Sequence, residues 1–210
     1  MRRIYETSGV DVDDLGPDPV VAFGRWFADA AAAGVAEPNA MVLATAGADG
    51  TPTARTVLLK GYDGRGLRFF TNLGSAKAAD LAANPRAALV FPWHQIGRQV
   101  RVTGAVVGLG RDEVEAYFAT RPRDAQVGAW ASPQSQVVAS RAELDATLAE
   151  VEARFPAAVP APPGWGGFRV VPELWEFWAG RTGRLHDRLR YRRTGGSGEQ
   201  AAWTIERLAP

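Results

Sequence analysis

Residues 55–77 read RTVLLKGYDGRGLRFFTNLGSAK. Val57, Leu58 and Leu59 form an apolar run between Arg55 and Lys60, the pattern of a short buried strand with charged ends. Tyr62-Asp63-Gly64-Arg65-Gly66 is a turn by its glycine and aspartate content. Leu67 to Thr71 is a second strand, rich in aromatics. Asn72-Leu73-Gly74-Ser75 breaks it, and Ser75 is placed to cap a helix from Ala76 to about Ala83. Strand, short turn and strand in immediate succession point to antiparallel pairing and away from a parallel sheet, whose strands alternate with helices.

The same stretch holds a chemical signal. The chain has 24 lysines and arginines, and its only two lysines are Lys60 and Lys77. Lysine offers a compact point charge where arginine offers a planar fork. Two readings stand: solvated lysines in an arginine-rich chain, or point charges kept for phosphate oxygens. Lys77 lies in the first turn of its helix, beside free backbone N–H groups and the positive end of the dipole. A cation there opposes the dipole unless an anion lies between.

The remaining strands extend the pattern. Met41 to Ala46, the run entering Arg55, Arg86 to Trp93, Arg98 to Val107, Gly166 to Val171, Leu174 to Trp178, Leu185 to Tyr191 and Ala202 to Leu208 read as strands, most joined by hairpin-length turns. Three further helices are inserted. One starts at Asp18-Pro19, an N-cap followed by proline at the first helical position, and stops at Gly34. Another covers Arg111 to Thr120. A third opens on the Ser140/Glu143 capping box and runs to about Phe155. Pro156 to Pro163 is an extended linker. The expected fold is mainly β with inserted helices, an antiparallel sheet or barrel. Residues 1–17 read as a flexible polar arm and 18–210 as a single domain.

Composition excludes several functions. With 24 cations against 23 anions the formal net charge is +1, so no basic field is available for nucleic acid or an anionic membrane. Cysteine is absent, which removes disulfides, thiolate metal sites and thiol nucleophiles. Two histidines, His94 and His186, are too few and too far apart for zinc. No apolar run approaches membrane-spanning length and no leader-like apolar segment follows Met1, so the expected compartment is the cytoplasm.

Two further strands carry polar faces. Gln99 and Arg101 alternate with Val100 and Val102, so one face meets either solvent or a polar ligand. Arg184, His186 and Arg188 stand at i, i+2 and i+4, which on a strand places them on one face. That row is either a charged solvent face or a site for an anion or an electron-rich ring, with Trp178 upstream to cover an aromatic ligand.

Taken in order, RTVLLK, FFTNLGSAK, RQVRVTG, YFATRPRDAQVGAWASPQS, WGGFRV, EFWAGRTGRLHDRLRY and the closing RLAP resemble the pyridoxamine 5′-phosphate oxidase family. The resemblance implies a split β-barrel, a homodimer with FMN at the subunit interface, and oxidation of pyridoxine or pyridoxamine 5′-phosphate at C4′ by way of FMN and dioxygen. It assigns the FMN phosphate to Arg55 and Lys77, with Thr71 and Ser75. Thr56, Val57, Leu58 and Leu59 lie along the flavin, with Lys60 and Phe70 also on the cofactor. Gln99, Gln134, Ser135, Trp178 and Arg188 hold the isoalloxazine or the ribityl chain, some from the partner subunit. Substrate phosphate meets Lys60, Tyr117 and Arg121. Arg184 and His186 sit on the pyridine ring as the catalytic pair, and Arg2 and Tyr5 cover the substrate. Ala125 stands where the family usually has a serine on the substrate phosphate, and Ala76 where arginine is common. The same resemblance leaves two alternatives: a flavin oxidase of this fold acting on another ring, such as a phenazine precursor, and a non-enzymatic flavin-binding module.

Overall fold

One strand organises the barrel. β7, Trp165–Ala179, is 15 residues long and is flanked from Phe168 to Ala179 on one side by β6, Arg98–Gly108. Its other side is divided. The N-terminal half pairs with β4, Gly66–Asn72, and the C-terminal half with β8, Asp187–Gly195. The computed structural model describes residues 9–210. Among them nine strands form one sheet in the order β2-β1-β5-β6-β7-β4-β3, with β8 and β9 branching from β7. Here β1 is Ala40–Ala46, β2 Pro52–Leu58, β3 Gly61–Asp63, β5 Arg86–Trp93 and β9 Ala202–Leu208. Every pairing is antiparallel. The terminal strands of that path, β2 and β3, are joined in sequence by Leu59 and Lys60 alone, so the sheet must curl back on itself.

β7 corrects the sequence reading, which split it into two strands at Pro172. The proline lacks an N–H, and the ladder absorbs it with a bulge between Thr103 and Gly104. A Cβ at Gly104 would stand 1.9 Å from the Val171 carbonyl oxygen, so only glycine allows the two backbones to close there.

The main core fills the barrel with residues that alternate inward along each strand, including Met41, Leu43, Phe69, Leu89, Phe91, Val100, Val102, Trp175 and Phe177. α2, Pro19–Ala32, plugs one opening. The Asp18 carboxylate accepts the Val20 N–H at 2.8 Å to start the helix. Phe23 is fully buried, with its ring centroid 4.9 Å from those of Tyr62 and Phe91 and 5.4 Å from that of Trp175. A smaller core gathers Val114, Phe118, Val127, Ala131, Val151 and Trp165. It binds α4 (Arg111–Ala119), α5 (Arg123–Ala131) and α6 (Arg141–Arg154) to the N-terminal end of β7.

The reading of residues 1–17 as an irregular arm also needs correction over its described part. Val12–Leu15 is a helical turn, α1, with a reciprocal capping box between Asp11 and Asp14. Val10 and Leu15 enter the main core. The Tyr191 hydroxyl donates to the Gly16 carbonyl at 2.6 Å, and burial pushes this phenol up to about 12. No helix among the described residues is long and apolar enough to cross a membrane.

Candidate active site

α3, Ala76–Ala83, begins directly after β4, and the link between them builds an anion-receiving corner. Ser75 has the extended backbone of an N-cap, yet its hydroxyl makes no capping bond, contrary to the sequence reading. The Lys77 ammonium takes that oxygen instead, donating to Ser75 Oγ at 3.3 Å, Thr71 Oγ1 at 3.0 Å and Gln134 Oε1 at 3.0 Å. Lys77 is only 8% exposed. Burial first, and the Arg55 charge second, hold its pKa below the usual lysine range. Arg55, on β2, is oriented by Thr45 Oγ1 at 2.6 Å and by Asp80 at 3.7 Å. Three neutral oxygens solvate the buried ammonium, but among the described residues no carboxylate neutralises it. A buried cation without a counter-ion is costly, and a phosphate monoester fits this donor set.

The corner opens into a cavity of about 690 Å³. β2 contributes Arg55, Thr56, Val57 and Leu58, β4 contributes Phe70 and Thr71, and the link between β2 and β3 contributes Lys60. Gln134 and Ser135 come from the loop after α5, and Gln134 meets Lys77. Leu59 faces the core and does not line the cavity. Ala76 and Ala125, the two departures from the family pattern, both line it.

Tyr117 and Arg121 also line the cavity. The rings of Phe70, Tyr117 and Trp165 lie nearly parallel in one cluster, with centroids 4.1 Å (Phe70–Tyr117), 5.3 Å (Phe70–Trp165) and 6.1 Å (Tyr117–Trp165) apart. The Arg121 guanidinium sits 4.9 Å above Trp165 and 5.4 Å from Phe118. Its Nη1 is buried with no hydrogen-bond partner, and burial is the first cause working against its charge. A desolvated guanidinium with an unused N–H is a second place for an anion. Sequence reasoning missed Trp165 and Asn72 as wall residues; a tryptophan reads as core, and Trp165 serves both roles.

A second cluster lies on the sheet and shares no wall with this cavity. The register sets Gln99 opposite Trp178, and Trp178 opposite Arg188, in one row across β6, β7 and β8. The His186 ring packs 4.8 Å from Trp178. Arg188 donates through Nε to Glu176 at 3.0 Å and through Nη1 to the Ala209 carbonyl at 3.0 Å. His186 Nδ1 accepts the Arg181 N–H at 3.0 Å, so the neutral ring carries its proton on Nε2. Arg184 and His186 precede β8, which starts at Asp187, so the expected strand face of Arg184, His186 and Arg188 does not form. Thr182–Arg184 is instead a 3-10 turn, in which Gly183 and Arg184 have φ of 67° and 62°. Ser135, at 71°, is another left-handed non-glycine residue. Such conformations persist where the surroundings enforce them, and they gather at functional sites. Arg2 and Tyr5 lie outside the described residues. Among the described residues no cluster of histidines and carboxylates suits a metal.

Comparison with known proteins agrees with this geometry. A family profile described as pyridoxamine 5′-phosphate oxidase matches residues 27–155. A second, described as the pyridoxine 5′-phosphate oxidase C-terminal dimerisation region, matches residues 165–210. The chain is 55% identical over its full length to a pyridoxine/pyridoxamine 5′-phosphate oxidase of Nocardioides sp., covering 96% of that protein. It is 54% identical to the protein of the same name from Rubrobacter xylanophilus, covering all of this chain and 95% of that one. Among solved structures, PhzG of Burkholderia lata, in complex with tetrahydrophenazine-1-carboxylic acid, superposes with a TM-score of 0.90 at 33% identity, over 98% of this chain and 99% of that one. A pyridoxamine 5′-phosphate oxidase-related, FMN binding protein from Nostoc punctiforme shares the fold, with a TM-score of 0.70 at 19% identity over 89% and 96% of the two chains. Matched over residues 27–155 and 165–210 by these two profiles, the chain belongs to the pyridoxamine 5′-phosphate oxidase family.

Proposed function

We propose that this chain is an FMN-dependent oxidase that converts pyridoxine 5′-phosphate or pyridoxamine 5′-phosphate to pyridoxal 5′-phosphate. Dioxygen is the acceptor and hydrogen peroxide a product; with pyridoxamine 5′-phosphate one water is also consumed and ammonia is released. The observation that carries the reading is the presence, in the wall of one cavity, of two cations without carboxylate partners, the buried Lys77 and Arg121, whose Nη1 is buried and unpaired. Relatives 55% and 54% identical to the whole chain bear the name of this activity.

On this reading Lys77 and Arg55 hold the FMN phosphate, helped by the hydroxyls of Thr71 and Ser75. The backbone of residues 56–59 and the Phe70 ring flank the flavin. Lys60, Tyr117 and Arg121 take the phosphate of the substrate. Bound FMN supplies the electron acceptor and passes the electrons to dioxygen. The protein supplies orientation: both rings are fixed by their phosphates within one cavity, and proximity is its largest contribution.

The proposed assembly is a homodimer in which a second copy supplies what this cavity lacks. The matched dimerisation region contains Trp178, Arg184, His186 and Arg188. From the second copy, Gln99, Trp178 and Arg188 are assigned to the flavin and its ribityl chain. Arg184 and the Nε2–H of His186 are assigned to the pyridine ring, where they orient C4′. A cytoplasmic setting belongs to the same proposal and rests on the sequence alone. An unphosphorylated phenazine precursor has no use for the Lys60, Tyr117 and Arg121 end of the cavity.

The test is direct. The purified chain is expected to be yellow and to release FMN on denaturation. In air it should convert pyridoxine 5′-phosphate to pyridoxal 5′-phosphate with an equal amount of peroxide. A colourless chain that cannot be reconstituted with FMN ends the reading.

A further inference from the structure

Asp187 is a buried carboxylate, 6% exposed, for which the proposed chemistry has no use. It sits between His186 and Arg188 in sequence, yet as the first residue of β8 it faces away from both, into a junction of three chain segments. Its Oδ2 accepts the backbone N–H of Val10 at 3.0 Å and the Arg181 guanidinium at 3.2 Å. Its Oδ1 accepts from Arg207 Nη1 at 2.6 Å. Arg207 reaches on with Nη2 to Asp11 at 2.9 Å, which ties the start of α1 to the same junction. Gly9 closes the approach. Its φ is +77°, and a Cβ there would stand 2.3 Å from Asp187 Oδ2. Glycine takes that backbone freely, and only glycine leaves room for the carboxylate.

The turn that follows Arg181 is the one that carries Arg184 and His186. Gly183 and Arg184 are both left-handed within it, and the Arg181 N–H is the donor that sets the His186 ring. Arg181 is the hinge of this turn, and Asp187 holds Arg181. We propose that Asp187 is a positioning residue: with Val10 and Arg207 as its other partners, it clamps the 181–186 turn in the conformation that presents Arg184 and His186. Residues 9–11 are then a structural part of the second cluster, although they stand far from it in sequence. The catalytic side of this proposal rests on the oxidase reading; the clamp itself does not.

Arg181 and Arg184 are exposed in the single chain, so trypsin, applied to the substrate-free protein, reads the turn. The full-length chain as purified is compared with Asp187→Asn, which keeps the shape and removes the charge, and with Gly9→Ala, which presses on the clamp from the other side. Melting and far-UV circular dichroism identify folded variants, and either one suffices. Cleavage after Arg181 or Arg184 is expected to rise at least about fivefold. Cleavage after the exposed Arg141, in the distant α6, should stay unchanged. Folded variants with unaltered cleavage of the turn overturn the proposal. In active enzyme, kcat should fall more than KM rises; a freely cleaved turn with normal kcat overturns the catalytic part. A wild-type chain with no oxidase activity sinks the oxidase reading and leaves the cleavage comparison standing.

Discussion

The amide oxygen of Gln134 accepts a hydrogen bond from the Lys77 ammonium at 3.0 Å, joining the loop after α5 to the first turn of α3. An amide orients the ammonium without neutralising it, so the charge stays available to an incoming anion. Gln134→Glu therefore makes an opposed pair of predictions. The new carboxylate pairs with Lys77 and raises the melting temperature of the FMN-free protein. The same carboxylate competes with phosphate and weakens FMN binding by about 10-fold or more, the scale of one charge-assisted hydrogen bond. Fluorescence titration with FMN and a melting curve check both.

The depressed pKa of Lys77 sets a pH dependence. Burial and Arg55 lower the pKa in the free protein, and a bound phosphate raises it again. Affinity for FMN is thus fully present below the depressed pKa and falls as pH rises through it. The decline should begin below the ordinary lysine value of 10.5. FMN titrations across alkaline pH test this, and Lys77→Arg should flatten the profile.

Arg121→Met keeps an apolar stem against Trp165 and Phe118 while removing the guanidinium. Because Nη1 is already unpaired and buried, stability should stay level or rise. KM for the phosphorylated substrate should increase by about 10- to 100-fold. FMN content, set at the Lys77 end, should not change. Steady-state kinetics and the flavin-to-protein ratio separate the two ends of the cavity.

Arg184→Ala should lower turnover far more than FMN occupancy, since Arg184 lies outside the cavity that holds Lys77. Its positive φ of 62° suits alanine no better than arginine, so the backbone effect is small and the loss reports the side chain. Equal loss of turnover and flavin would mark a structural role instead.

Much of this arrangement was legible in the chain. Asp18-Pro19 and the Gly34 stop framed α2; the strands at residues 55–58 and 67–71 were also legible, but β4 pairs with Gly61–Asp63, which reads as part of the turn, while β2 pairs with β1. Both lysines line the cavity. What escaped the sequence has physical causes. Pro172 reads as a strand break because its cost is absorbed by a bulge opposite Gly104, a long-range partner. Arg184 reads as strand because alternation ignores φ, although the glycines at 180 and 183 signalled a turn. Ser75 reads as a helix cap because local pattern cannot show that a buried ammonium competes for its oxygen. Val10 reads as part of a loose arm because its anchor, Asp187, is 177 residues away.

The central claim is that the Lys60, Tyr117 and Arg121 end of the cavity receives a phosphate, and it is tested most directly by comparing kcat/KM, read as peroxide release, for pyridoxine 5′-phosphate and for pyridoxine. The account predicts a preference of at least about 100-fold for the phosphorylated form, the scale of two or more charge-assisted contacts. Similar values for the two would contradict it.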